Sequence, residues 1–168
     1  LYTLSDGTKK ILQKLDGPVK LRLYVSQSDN AIPVQLRSFA QRVEDMVREF
    51  KSVAGANLVV EVYNPKPDSD DEDAAQLDGV EAQQLFSGEQ FYLGVVVSQL
   101  DRKQAIPALS LQREQLLEYD LVRAIARACP AAAVSVRRNR TESQYSASIA
   151  RIGTLLPILR LSSSAIRP

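Results

Sequence analysis

Five carboxylates fall within six positions of "YNPKPDSDDEDAAQLDGV", residues 63–80: Asp68, Asp70, Asp71, Glu72 and Asp73. Acids this dense can ligate a hard cation, meet a basic partner, or stand in water at a helix start. Counted as a calcium loop from Asp68, positions one, three and five are Asp68, Asp70 and Glu72. Position six must be a glycine for the turn and is Asp73; position twelve must be a bidentate glutamate and is Gly79. Counted from Asp70 the pattern breaks earlier, at Ala74. The stretch therefore reads as a solvated connector with no metal ligand, its last acids at the N-terminus of a short helix over "AAQLDGV". The five acids then form an exposed corner that a partner could recognise.

The rest of the chain is poor in reactive groups. There is no His, which removes the usual general base, the Ser-His and Cys-His pairs and most zinc sites. Cys129 is the only cysteine, so neither an internal disulfide nor a C-x-x-C pair can form. Ser5, Ser26 and Ser28 have no imidazole to activate them, and no motif pairs a serine with Lys9 or Lys10. The seven glycines are scattered and no G-x-x-x-x-G-K-[ST] loop occurs, so no phosphate cradle is expected. Tyr119-Asp120 sits between Leu117 and Leu121, in what reads as a packing helix. The expectation is a protein without catalytic residues, metal or cofactor, and not an enzyme.

Elements that would carry these residues follow from periodicity. Ser5 or Asp6 caps a short helix with Ile11, Leu12 and Leu15 inward, ended by Gly17-Pro18. Val19, Leu21, Leu23 and Val25 alternate with Lys20, Arg22 and Tyr24, the period of a strand with one buried face. Leu36, Phe39, Ala40, Val43, Met46, Val47 and Phe50 recur at steps of three and four, a long helix with Pro33 at its start and Gly55 past its end. "NLVVEVY" reads as a strand buried on both faces, and 91–108 as a hairpin turning at "LDRK". A final helix places Leu117, Leu121, Ala124, Ile125 and Ala128 on one side. The order is α-βαβ-α-ββ-α. It predicts an α/β fold with a right-handed parallel crossover and an antiparallel hairpin. That is a thioredoxin-like, four-stranded mixed sheet with helices on both faces. The β-α junction of that arrangement, "SQSDNAIP", lacks the cysteines that redox chemistry needs.

Composition bounds the whole. With 168 residues, 45% apolar and 24% charged, one packed domain plus an appendage is expected, over 1–128 and 129–168. Net charge is +1, which gives no pull toward nucleic acid, and no apolar run approaches membrane-spanning length. Residues 130–168 hold six Arg, one Glu and no Lys or Asp, about +5, against about −4 for 1–129. The tail reads as poorly ordered or non-native. The start at Leu1 reads as a segment of something longer.

Several stretches together resemble one family: "LYTLSDGTKKILQKLDGPVKLRLYVS", "VYNP…A…DGV", "YLGVVV", "AIP" and "LEYDLVRAI". They look like the extracytoplasmic domain of GldG-like auxiliary proteins of ABC-type transport systems, the family that includes a gliding-motility transporter component. The opening "LS-x-x-T-x-x-x-L-x-x-L-x-x-P-V" and the closing "EYDL-x-x-A-I" are the specific pair, and the resemblance covers about 1–128. It implies a non-catalytic interaction module on the periplasmic side of the inner membrane, in a longer membrane-anchored protein. The implied partners are the ABC permease and ATPase subunits. The membrane would be met only through segments outside this chain. The tail departs from the family pattern. The alternative reading is an extracytoplasmic sugar- or peptide-binding domain with a cleft near "SQSDNAIP". A redox-inactive relic of a thioredoxin-like enzyme comes last.

Overall fold

The computed structural model describes residues 3–27, 32–85 and 88–129. Among them a mixed α/β arrangement carries five strands and four α-helices. Helix α1 (Asp6–Gln13) starts on Ser5, whose hydroxyl accepts from the Thr8 amide. Strand β1 (Val19–Val25) leads into α2 (Val34–Ala54), capped by Pro33 and Gly55 as the sequence predicts. Strand β2 (Leu58–Tyr63), helix α3 (Asp70–Asp78) and strand β3 (Ala82–Gln84) follow. The hairpin of β4 (Gln90–Gln99) and β5 (Arg102–Ile106) turns at Leu100, whose φ is 51°. Two 3-10 turns over Leu111–Leu116 precede α4 (Leu117–Ala128).

Strands run in the order β2-β1-β4, with β2 parallel and β4 antiparallel to β1. The outer edge of β4 is shared. Strand β3 pairs with residues 90–92 and β5 with residues 95–99, end to end. The Glu81 amide donates to the Pro107 carbonyl at 2.9 Å and links the two. Gly94 lies between them. A Cβ there would stand 2.6 Å from Val80 Cγ1, 2.9 Å from the Pro107 carbonyl and 3.0 Å from that of Ile106. Glycine is what lets the chain leaving α3 cross the sheet this closely.

Each face of the sheet has its own core. Val19, Leu21, Leu23 and Val25 of β1 join Phe91, Leu93, Val95 and Val97 of β4 under α1, α2 and α4. The opposite residues, Tyr24, Tyr92 and Val96, pack with Ala75 and Val80 of the α3 segment. Burying Phe39, Met46 and Phe50 of α2 contributes about 1.5–3 kcal/mol each.

Four expectations change. The sheet has five strands, not four, because "AQQ" pairs with β4 although it carries no apolar alternation. Strand β2 is not buried on both faces. It is the sheet's edge, with Leu58 covered and Val59 and Val62 exposed. Strand β1 buries Tyr24 as fully as its leucines, since α3 covers that face too. Helix α3 begins at Asp70, four residues before its predicted start, because Ser69 caps it by accepting from the Glu72 amide at 3.3 Å. Cys129 packs in the larger core and closes α4 by donating to the Ile125 carbonyl. The predicted tail from 130 onward, and Ser28, lie outside the described residues.

Candidate functional site

The acidic stretch is mostly a helix start. Asp70, Asp71, Glu72 and Asp73 occupy the first turn of α3, where their charge meets the unpaired amides. Asp68 sits just before, at φ 57°. Three of the five carboxylates or their amides have structural work. Asp71 accepts from the Asn64 amide at 3.0 Å, and Glu72 accepts from the Asp68 amide at 2.8 Å. The other Glu72 oxygen accepts from the Tyr92 hydroxyl at 2.8 Å, pinning the helix to β4. Asp70 and Asp73 face solvent. The acids fan out around the helix start, and among the described residues no three His, Cys, Asp or Glu converge. Replacing Asp70, Asp71 and Asp73 by Asn should leave the fold intact and lower stability by no more than about 1 kcal/mol. Urea melts in calcium and in chelator should superimpose; a calcium-dependent rise in midpoint of the parent chain would show that the acids hold a cation.

The other end of α3 carries the densest polar constellation, which sequence reasoning missed. Asp78 is buried, and two strands, β1 and β5, send it three donors. Arg22 Nη1 reaches one oxygen at 2.8 Å, the Tyr24 hydroxyl reaches the same oxygen at 2.7 Å, and Lys103 Nζ reaches the other at 2.8 Å. Arg22 also pairs with Glu61 on β2, as does Lys20 at 2.9 Å. Tyr63 donates to Glu61 and stacks on Tyr24, ring centroids 4.9 Å apart. Burial works to raise the Asp78 carboxyl, but the bonds from Lys103, Tyr24 and Arg22 outweigh it and hold it at about 2. Burial, then the bond to Asp78, pushes the Tyr24 hydroxyl well above its ordinary value. The hydrogen bond to Asp78 raises Arg22. All of these shifts fix the charged or protonated state each group already has at neutral pH. The cluster is thus a lock that holds Asp78 charged and the Tyr24 hydroxyl protonated. Its only trace in the sequence is Arg22 and Tyr24 on the non-leucine side of a central strand.

A second lock joins α1 and α4. Glu118 Oε1 accepts from the Ser5 amide at 2.9 Å and from the Thr8 hydroxyl at 2.5 Å. Burial acts to raise the Glu118 carboxyl, and the bonds from Thr8 and Ser5 overcome it, leaving it below its ordinary range. Tyr119 is exposed, and Asp120 is held by the Arg113 guanidinium.

At the C-terminal end of β1 lies a cleft of about 320 Å³, walled by Ser26, Gln27, Ile32, Ala40, Glu44 and Phe91. Ser26 is held by the backbone there. Its hydroxyl donates to the Pro65 carbonyl at 3.1 Å and accepts from the Tyr92 amide at 3.0 Å. Among the described residues no helix is long and apolar enough to cross a membrane.

Residues 1–98 match a family model described as a domain of unknown function, DUF7088. No curated protein and no solved structure matches the chain.

Proposed function

The chain belongs to the DUF7088 family, and we propose that it is a non-catalytic interaction domain within an accessory protein of an ABC-type transport system. In this reading it stands on the periplasmic side of the inner membrane, held there by segments outside this chain. Its partners are the permease and ATPase subunits, and it binds no nucleic acid. The sheet is read as thioredoxin-like: β2-β1-β4-β5, with β2 parallel and β4 antiparallel to β1, and α3 alone across the sheet from the other helices.

One observation carries the proposal. The two patterns on which the GldG-like resemblance rests lie at opposite ends of the domain, and their polar residues meet, Ser5 and Thr8 on Glu118. Leu4, Leu12, Leu15, Val19, Leu121 and Ile125 of the same patterns are buried beside them. The other resembling pieces behave alike. Asp78 of "DGV" closes the network under α3, and Asn64 of "YNP" accepts from the Gln27 amide at 2.9 Å. Motif residues consumed this way maintain a shape and leave no group aimed at a substrate, which suits a platform better than a catalyst.

The cleft beside Ser26 favours a second reading, a sugar- or peptide-binding domain that feeds the transporter. One experiment separates the two. Affinity-tagged intact parent protein, purified from solubilised membranes, should bring an ABC ATPase and a permease with it. Reproducible recovery of neither, together with a saturable rise in melting temperature on adding sugars or short peptides, would replace the first reading with the second.

A further inference from the structure

On the sheet face under α4, a groove of about 220 Å³ runs between that helix and β5. Its floor is apolar: Phe39, Ile106, Leu109, Leu117 and Ala124. Its rim is cationic. Arg113 is neutralised by Asp120 through contacts of 2.9–3.1 Å, but Arg123 and Arg127 are exposed and make no ion pair among the described residues. Strand periodicity puts Arg102 on the same face of β5 as Gln104 and Ile106. The groove's open side is a strand edge. Among the described residues no strand pairs with the outer edge of β5, where the Ala105 carbonyl accepts only from the side-chain amide of Gln104, at 3.2 Å, a contact that an added strand would displace.

We infer that this groove receives an extended acidic-apolar segment of a partner protein, laid along β5 as an added strand. An edge strand beside a helix, over an apolar floor, is a recurring way to take a peptide: the backbone supplies affinity and alternate side chains supply specificity. Spacing sets the sequence preference. Arg123 and Arg127 are one helical turn apart, about 6 Å, so a single carboxylate can lie between them, and the next residue on that strand face, i+2, stands about 7 Å farther along. A carboxylate at i meets the arginines while an aliphatic side chain at i+2 enters the floor. Charge argues against the chain's own C-terminal residues as occupant, since 130–168 hold six Arg and one Glu. The inference deepens the interaction-domain reading by naming the partner's chemistry. Peptide titration of this chain tests the groove and membrane co-purification tests the transporter assignment, so the two fail separately.

The probe is a short capped peptide whose alternate positions run Asp, Val, Asp, Val with Thr between, titrated into the full chain and followed by amide NMR. Saturable binding is expected, with shifts confined to β5 and α4. The Lys-for-Asp version should not bind. Arg123→Glu with Arg127→Glu should weaken binding at least tenfold at an unchanged melting temperature, and Arg123→Gln with Arg127→Gln should weaken it in the same direction. The inference is overturned by any of four results: no saturation at millimolar peptide, indifference to both pairs of substitutions, equal binding of free hexanoate, or self-association of the chain through β5.

Discussion

Asp78→Ala should destabilise the protein by about 3 kcal/mol, the largest effect expected of any polar substitution here. The loss has two parts. The Tyr24 hydroxyl sits on a side chain with no exposed surface and would be left without its acceptor at 2.7 Å. Two cations, Arg22 and Lys103, would lose the charge that holds them over the sheet. Both are partly exposed and can turn to water, which keeps the figure below that of a fully dry pair. Asp78→Asn retains an acceptor for Tyr24 and should cost about half as much, and Tyr24→Phe about 1 kcal/mol. The pH dependence has a definite sign. The folded protein holds the carboxyl at about 2, against 3.8 for an unperturbed aspartate, so the unfolded chain takes up the proton first. This carboxylate's contribution is complete above about pH 4 and drains away as pH falls toward 2. Urea denaturation at neutral, mildly acidic and strongly acidic pH should show that slope in the parent and a shallower one in Asp78→Asn. Equal slopes would mean that the network stabilises nothing.

The second large effect is steric. Gly94→Ala should destabilise by about 3 kcal/mol, and Gly94→Val by more. The added methyl meets Val80 Cγ1 at 2.6 Å, and behind it two backbone carbonyls within 3.0 Å. Side chains can shift, but the carbonyls belong to the end of β5 and the residue after it. Relief therefore requires moving the strand. Val80→Ala in the Gly94→Ala background should recover part of the loss, since it removes the nearest clash and leaves the carbonyls. Strictly additive destabilisation in that cycle would place the glycine's importance elsewhere.

Much of this architecture was legible in the sequence, and the reasons differ from element to element. Helix α2 announces itself because eight of its residues face one core at helical spacing. Strand β1 and the β4–β5 hairpin show through β-rich runs broken by turn residues. Strand β3 was invisible because an alanine and two glutamines at a sheet edge need no apolar alternation to pair. The over-reading of β2 has a related cause. "LVVEVY" has the composition of a central strand, and only its partner list makes it an edge. The acidic cluster was legible as an exposed helix start, though Ser69 moved that start earlier. The Asp78 network and the arginine-rimmed groove were not legible. Each joins residues from three or more elements far apart in the chain, none of which looks unusual in its own segment.

The Ser5–Thr8–Glu118 clasp also bears on how the molecule comes into being. Its partners are 113 and 110 positions apart, and the central pairing of the sheet joins Lys20 to Ser98. A ribosome releases α1 and β1 early, long before the strand and the helix that complete them. Until then the leucines of β1 lack their neighbours on β4, and the Thr8 hydroxyl has no carboxylate. Closure waits until α4 has emerged, and up to that point β1 and β2 stand as an unfinished half-sheet. The clasp is a latch that engages only when α4 is out.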